Sequence, residues 1–560
     1  MSTIKSTHDL LDQTDHQAPG IPSPNAAGQR SNYCYLFRAL ADDPEAGRFT
    51  GTDDETTVRR LKEFELAFRL PWTPLPALRM RLPAAYTYFG QFMNHDISAP
   101  IGGLLVNVGM TPPTGIIGTA DPAGLGKEWR ADTATILQHF VNEHSEPLTL
   151  ASLYGDGPQS SDGEVRQLYQ EDKRFRLAIT SVSNDQTFVD LASVFYATGA
   201  PDIPRHNRTP LIADHRNDGN LILCQLHLAF MLVHNKAVTA LEGRYRNATD
   251  CFREARQLVT LHYHWLILND FLPKILSKSV LCKPFSEWEL RQSEPNTVPM
   301  EFTTAAFRFG HSMVGRAYDF NANFSNGGRI STAGASLTQL FNFTSRNNME
   351  QPLGPPLQLP NHWVIDWDRM TCAPKPDPVP GDLQGGAERI DLDFAPDMLN
   401  VAGDAQVAEH GSILFRNLLR GFHRRMPFGQ RLAEECNVEP LAPDQVREAM
   451  PQYRSPSGDY DDPAKAAAGL GFLDETPAWL YFLCEAKMLE NGERVGPTAS
   501  RIIAHTFVGL MRHNPASVLL HEGGAWHPQD SVLKDKYGKA LTSLRAFLLY
   551  ATEGISQAQS

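Results

Sequence analysis

The sequence predicts a mainly α-helical protein. Long segments with apolar residues at helical spacing recur at 56–69, 221–241, 251–271, 406–420, 478–490 and 499–512. Alternation of apolar and polar residues, the mark of a half-buried strand, is scarce. Proline- and glycine-rich stretches, notably 351–386, separate the helical ones.

Each segment has its own reason. Residues 1–45 are polar, with Pro and Gly, and predict a loose N-terminal arm. The segment Ala84 to Pro100, AAYTYFGQFMNHDISAP, places Gln91 and His95 four residues apart, on one helix face. Gly90 beside them permits a close approach to the backbone. The apolar run at 221–234 is interrupted by Gln225 and His227 and reads as a buried core helix. It falls short of the ~18 apolar residues a membrane span needs. Residues 546–560 end in a polar QAQS and predict a frayed tail.

The formal charge of −13, from 51 basic and 64 acidic residues, leaves no basic footprint for a nucleic-acid partner. The first twenty residues lack an apolar core, so no signal peptide is expected. The location this implies is cytoplasmic, or outside the cell by a route without a signal. The seven cysteines are scattered, odd in number and contain no CxxC pair, which predicts free thiols in a reduced compartment.

Four islands carry the chemistry. The first is Gln91 and His95. The second is DHRNDGN, Asp214 to Asn220, which contains Arg216 and precedes the helix LILCQLHLAFMLVHNKAVTAL. The third is AFRFGHSMVGRAY, where Arg308 and His311 stand at i,i+3. The fourth is NLLRGFHRRMP, where Asn417 and Arg420 share that spacing. A neutral His beside an amide suits acid–base work on a small polar substrate. Taken one at a time, the same residues also read as a structural helix histidine, a turn cap at Arg216, a surface amide at Asn417 and surface salt bridges at Arg308 and Arg420.

In this order the islands resemble the animal-type haem peroxidase superfamily, the group of myeloperoxidase and the cyclooxygenases, and most closely its bacterial members. The likeness includes the HN pair His234–Asn235, the segment NHWVIDWDRM and the segment 491–511. It covers roughly residues 46–545 and implies one large helical domain, with haem between distal and proximal helices.

The resemblance also implies roles. His311 is the axial ligand of the haem iron, and Asn417 accepts a hydrogen bond from its other ring nitrogen. Arg308 and Arg420 anchor the haem propionates. His95 moves the peroxide proton, Gln91 holds a water or small anion, and Arg216 stabilises charge on the leaving oxygen. Relatives bind haem through esters from two carboxylates; here those places hold Asn94 and Gly219, and Asn220 stands where a Met makes a third link. A non-covalent haem b is therefore expected. Asp96 matches a calcium ligand, but Thr149 and Ala151 replace oxygen ligands in the partner loop 145–155, where Ser145 remains.

The function this implies is a haem peroxidase. It reduces hydrogen peroxide or an organic hydroperoxide and oxidises a small organic or anionic donor, as in a response to oxidative stress. Lipid-oxidising relatives carry a radical Tyr three residues before the axial His; here Arg308 stands there, with Tyr318 and Tyr86 elsewhere. Fatty-acid oxygenation or hydroperoxide isomerisation is the alternative enzyme, and a non-enzymatic relic of the fold the alternative class.

Overall fold

The computed structural model describes residues 33–68, 79–101, 132–144, 146–170, 173–183, 194–206, 209–344, 358–373, 385–399, 412–451, 463–521, 526–555 and 558–559. The helices that shape the site are α1 (Asp54–Leu66), α2 (Ala85–Ile97), α3 (Leu221–Leu241), α4 (Ala248–Leu266), α5 (Ile413–His423), α6 (Ala478–Glu490), α7 (Pro497–His513) and α8 (Leu544–Ala551). The described strands are short and form only two-stranded pairs. The fold is mainly helical, as the periodicity predicts.

The core is organised around α3. Sixteen of its 21 residues are buried, so it must be covered on every side. It packs against α2, α4 and α8. Its length and composition would let it cross a bilayer, yet protein occupies its surface. Each buried polar group on it finds a partner, because leaving one unmatched costs about 1–3 kcal/mol. Gln225 Nε2 donates to the Trp363 carbonyl (3.2 Å), and its Oε1 accepts from Ile365 N–H (2.7 Å). His234 Nδ1 meets the Tyr154 hydroxyl at 3.1 Å.

Side-chain caps mark where several helices begin. Asn220 Oδ1 accepts from Leu223 N–H at the start of α3. Asn247 caps α4, Ser412 caps α5 and Ser543 caps α8. An Asn or Ser in extended conformation satisfies an N–H that the helix itself leaves open. The sequence predicts one helix over 251–271, but the α-helix ends at Leu266 and continues as a π-turn, Ile267–Phe271. In that turn Asp270 Oδ2 accepts from the Tyr86 hydroxyl of α2 (2.7 Å) and from Leu544 N–H at the start of α8 (2.7 Å).

Two predicted boundaries move. The loose arm expected over residues 1–45 is structured from Tyr33 onward, and residues 1–32 lie outside the described part. Tyr33–Cys34 pairs in parallel with Val298–Pro299, and Tyr33, Tyr35, Leu36 and Phe37 are buried. The buried Glu301 carboxylate accepts from the N–H groups of Leu36 and Phe37, both at 2.9 Å. The polar residues before this segment masked its aromatic run. At the other end, 546–551 belongs to α8 rather than to a tail. Leu544, Phe547, Leu548 and Ala551 form one apolar stripe at i, i+3, i+4 and i+7 and join the same hydrophobic cluster as Tyr33.

Burial also sets an acid limit on the fold. It pushes His234 and His262 down to about 3, and His227 and His264 down to about 4. An unfolded chain protonates these rings near ~6.5. Between the two values the unfolded state binds more protons, so stability falls as pH falls through that window. The urea midpoint of the protein should therefore be lower at pH 5 than at pH 7.5. An unchanged midpoint would mean that these rings take up protons without unfolding.

Candidate functional site

The distal side is built on α2. Gln91 and His95 lie on it as the spacing predicts, and His95 is only 2% exposed. Its Nδ1–H donates to Asn217 Oδ1 at 2.8 Å, which leaves Nε2 as the lone-pair nitrogen. Burial, then the charge of Arg216, push the imidazole down to about 3. The ring is neutral across the physiological range. Gln91 Oε1 accepts from Asn220 Nδ2 at 3.3 Å, so the amide of Gln91 offers its N–H groups to other partners. The group that approaches Gly90 is the Phe271 ring of the π-turn; a Cβ there would meet it at 3.6 Å, an ordinary contact.

Arg216 lies in a 3₁₀ turn, His215–Asp218, capped by Asp214. Its guanidinium grips that carboxylate, with Nε to Oδ1 at 2.9 Å and Nη2 to Oδ2 at 2.6 Å. Nη1 donates to the Ser98 carbonyl (2.8 Å) and Nη2 to the His95 carbonyl (2.9 Å). The arginine thus ties the turn to the C-terminal end of α2, where a cation is favoured. The sequence expectation aims it at a leaving oxygen; these donors go instead to Asp214 and the helix end. The paired guanidinium holds Asp214 well below the usual carboxylate range against the opposing effect of burial.

The proximal side is the turn Ala306–His311, which is 3₁₀ rather than α. At about three residues per turn, i and i+3 eclipse, so Arg308 and His311 share a face even more closely than in an α-helix. Arg308 is anchored by Nε to the Thr303 carbonyl (2.8 Å), and its own carbonyl accepts from Trp479 of α6 (3.1 Å). Asn417 of α5 meets His311 Nδ1 at 3.0 Å. The polarity differs from expectation. Arg420 Nη1 donates to Asn417 Oδ1 at 2.7 Å, so the amide nitrogen, not the oxygen, faces His311. The reason is chemical: guanidinium has only donors and takes the one acceptor Asn417 offers.

The two sides meet. The turn 306–311 packs against α2, and Tyr88 of α2 donates its hydroxyl to that of Tyr318 at 2.9 Å. Tyr318 also accepts from Gly315 N–H at 2.7 Å. Tyr86 is committed to Asp270.

Asp96, just after His95, is buried and accepts from Leu150 N–H (3.1 Å) and Ser152 N–H (3.2 Å). Leu148 and Leu150 adopt left-handed φ of 62° and 58°, which turns the loop's N–H groups toward the carboxylate. Two of the loop's carbonyl oxygens are taken by protein donors. The Leu148 carbonyl accepts from His264 Nε2 (2.7 Å), and Thr149 Oγ1 donates to the Glu146 carbonyl (2.7 Å). Ser145 lies outside the described residues. Among the described residues, no three His, Cys, Asp or Glu converge as a metal site. A calcium site presents oxygens to the ion, whereas this loop presents N–H groups to Asp96.

Sequence reasoning missed Asn217 and His227. Asn217 Nδ2 donates to His227 Nδ1 at 3.1 Å, and both residues are buried. The turn chemistry of HRNDGN concealed the first, and the apolar run of α3 absorbed the second.

The family described as animal haem peroxidase matches residues 131–353, a span that includes Arg216, Arg308 and His311. Thyroid peroxidase of Rattus norvegicus is 28% identical over 172 residues, 30% of this chain and 19% of that protein. A peroxidase-like protein of Margaritifera margaritifera is 25% identical over 303 residues, 48% of this chain and 38% of its own length. The chain thus spans well under half of these relatives. Peroxidase A from Dictyostelium discoideum shares the fold with a TM-score of 0.52, at 16% identity and over 92% of each chain. Fatty acid alpha-dioxygenase of Oryza sativa has a TM-score of 0.54 at 11% identity, over 98% of this chain and 87% of its own. Over residues 131–353 the sequence is thus similar to the animal haem peroxidase family, and the helical architecture is shared with a peroxidase and with fatty acid alpha-dioxygenases.

Proposed function

We propose that the protein is a haem-dependent peroxidase that reduces hydrogen peroxide or an organic hydroperoxide and oxidises a small organic or anionic donor. The observation that carries this reading is His95: buried, neutral, and with its proton held on Nδ1.

The donor set fits a haem. One imidazole, His95, lies on α2 and another, His311, ends a turn packed against that helix. Two arginines, Arg308 and Arg420, flank His311 and Asn417 and suit propionate carboxylates. A Cβ at Gly310 would meet nothing within 4 Å, so open space adjoins His311. When bound, haem supplies the iron that takes oxidising equivalents from the peroxide and passes them to the donor. His311 would hold that iron through Nε2. Were Arg420 engaged by a carboxylate of the bound group, Asn417 Oδ1 would be free to accept from His311 Nδ1–H, the polarity that makes a ligating histidine electron-rich. Asn94 and Gly219 offer no ester-forming carboxylate, which supports non-covalent retention.

On the distal side His95 accepts the peroxide proton at Nε2 and returns it to the departing oxygen, general base then general acid in one ring. Gln91, its Oε1 held by Asn220, orients a water or small anion through N–H. Arg216 holds the end of α2 and lowers the proton affinity of His95, so the base form persists at acid pH.

Fatty-acid oxygenation is the second reading, and the fold shared with the dioxygenase favours it. Against it, Arg308 occupies the place of the radical Tyr, and its charge disfavours an apolar acyl chain beside it. Calcium has no part in the proposal, because amide donors close the Asp96 loop.

Three outcomes are expected. His311→Ala should lose most haem, whereas His95→Ala should keep it and react with hydrogen peroxide ~10²–10⁴-fold more slowly in stopped flow. Ordinary haem content in the first variant, or ordinary kinetics in the second, would sink the assignment. With linoleate and a trace of hydroperoxide, an oxygen electrode should record no sustained uptake, while a phenolic donor turns over with peroxide; a single regiospecific lipid hydroperoxide would favour the dioxygenase. A chelator should leave the melting temperature unchanged, but Asp96→Ala should cost about 1.5–3 kcal/mol by removing charge-assisted bonds. Melting that falls with chelator and recovers with calcium would restore the metal.

A further inference from the structure

His95 meets the 3₁₀ turn and α3 through two side chains that form a chain of hydrogen bonds. His95 Nδ1–H donates to Asn217 Oδ1 at 2.8 Å, and Asn217 Nδ2–H donates to His227 Nδ1 at 3.1 Å. All three residues are at most 2% exposed. Each stands on a different element: α2, the turn 215–218 and α3. The His227 ring also sets its edge against Phe92 of α2, with centroids 6.1 Å apart. The turn is held in place by the Asn217 N–H bond to the Asp214 carbonyl (3.0 Å) and by Arg216 on the end of α2.

We propose that Asn217 and His227 are positioning residues that fix the tautomer of His95, so that the nitrogen left without a proton is Nε2. This rests on the reading of His95 as the acid–base group. A primary amide has one accepting and one donating end. With Oδ1 toward His95, Nδ1 must carry the hydrogen and Nε2 is basic. With the amide reversed, Nδ1 must accept, Nε2 carries the hydrogen, and His95 cannot take a proton from a hydroperoxide. His227 supplies the acceptor that makes the first orientation favourable, because its Nδ1 receives the amide hydrogens.

The electrostatic surroundings support a neutral chain. Arg216, Asp214 and His144 face His95, while Asp214 and Asp218 face His227. Arg216 and Asp214 neutralise one another as a 2.6 Å ion pair. Burial is the leading influence on both rings and keeps them neutral. A neutral imidazole has one donor and one acceptor nitrogen, and so its tautomer is decided by its partner.

The test has two readouts. In haem-free protein carrying ¹⁵N-labelled histidine, the hydrogen-bonded Nδ1–H of His95 should give an exchange-protected resonance, identified by its loss in His95→Ala. In holoprotein, stopped flow gives the rate of reaction with hydrogen peroxide. Asn217→Leu should lose the resonance and slow the reaction about 10–100-fold, with haem content unchanged, the size expected when a histidine's orienting partner is removed. Asn217→Asp, which keeps an acceptor toward His95, should retain the resonance and restore most of the rate. His227→Phe leaves the donor end of Asn217 unmatched, so it should weaken the resonance and slow the reaction; it decides the matter if Asn217→Leu does not fold. Asn217→Leu or His227→Phe with the resonance intact and the rate within about twofold of the parent overturns the proposal. If His95→Ala itself reacts at the parent rate, the peroxidase reading fails instead, and the resonance still reports on the tautomer.

Discussion

Everything in this fold accommodates one helix that tolerates almost no water. α3 is apolar nearly all round, and the helices beside it must cover it while matching the few polar groups it carries. Those matches are specific. Gln225 takes the Trp363 carbonyl and the Ile365 N–H, His234 takes Tyr154, and His227 takes Asn217. A purely apolar helix could slide or rotate among its neighbours. Three buried polar side chains fix its register, because each displaced bond leaves a group unpaired in a dry interior.

The entry to α3 joins this core to the site. Within seven residues, Asp214 to Asn220, the chain makes a capped 3₁₀ turn, places an arginine on the end of α2, orients His95 through Asn217, holds Gln91 through Asn220 and starts α3 with the same asparagine. Asn220 uses its oxygen for the helix and its nitrogen for Gln91, so capping and site geometry are one feature. The proximal side follows a different logic. There a 3₁₀ turn aligns Arg308 with His311, and α5 brings Asn417 and Arg420, whose mutual bond sets which end of the amide His311 meets.

Much of this was legible in the sequence, unevenly so. The apolar density of 221–241 predicts a buried helix, and α3 spans those residues. The span 478–490 was equally clear. His95, Arg216, His311 and Asn417 stand out in the sequence because their spacing and order match a known pattern, and the structure places His311 and Asn417 in contact. What stayed hidden depends on contacts between distant residues. The Tyr35 hydroxyl donates to the Arg424 carbonyl and Leu36 N–H to the Glu301 carboxylate, partners hundreds of residues away. The partner of Asn217 is fixed only when α2 and α3 come together. The direction of the Asn417 amide follows from where Arg420 points, which no local pattern encodes. The π-turn at Ile267–Phe271 likewise interrupts a helical period that the sequence carries straight through.

Asp270 has a further consequence, for the order of assembly. It bonds Tyr86 near the start of the distal helix and Leu544 at the start of α8, partners separated by most of the chain. The same carboxylate oxygen thus joins the helix that carries His95 to the segment around 544. Contacts that span so many residues form slowly, since loop closure must precede the gain. During synthesis, α2 leaves the ribosome long before its clamp exists. The turn that carries His311 waits as well, for Asn417 of α5 and Trp479 of α6, so both sides of the site close only when the last third of the chain is in place.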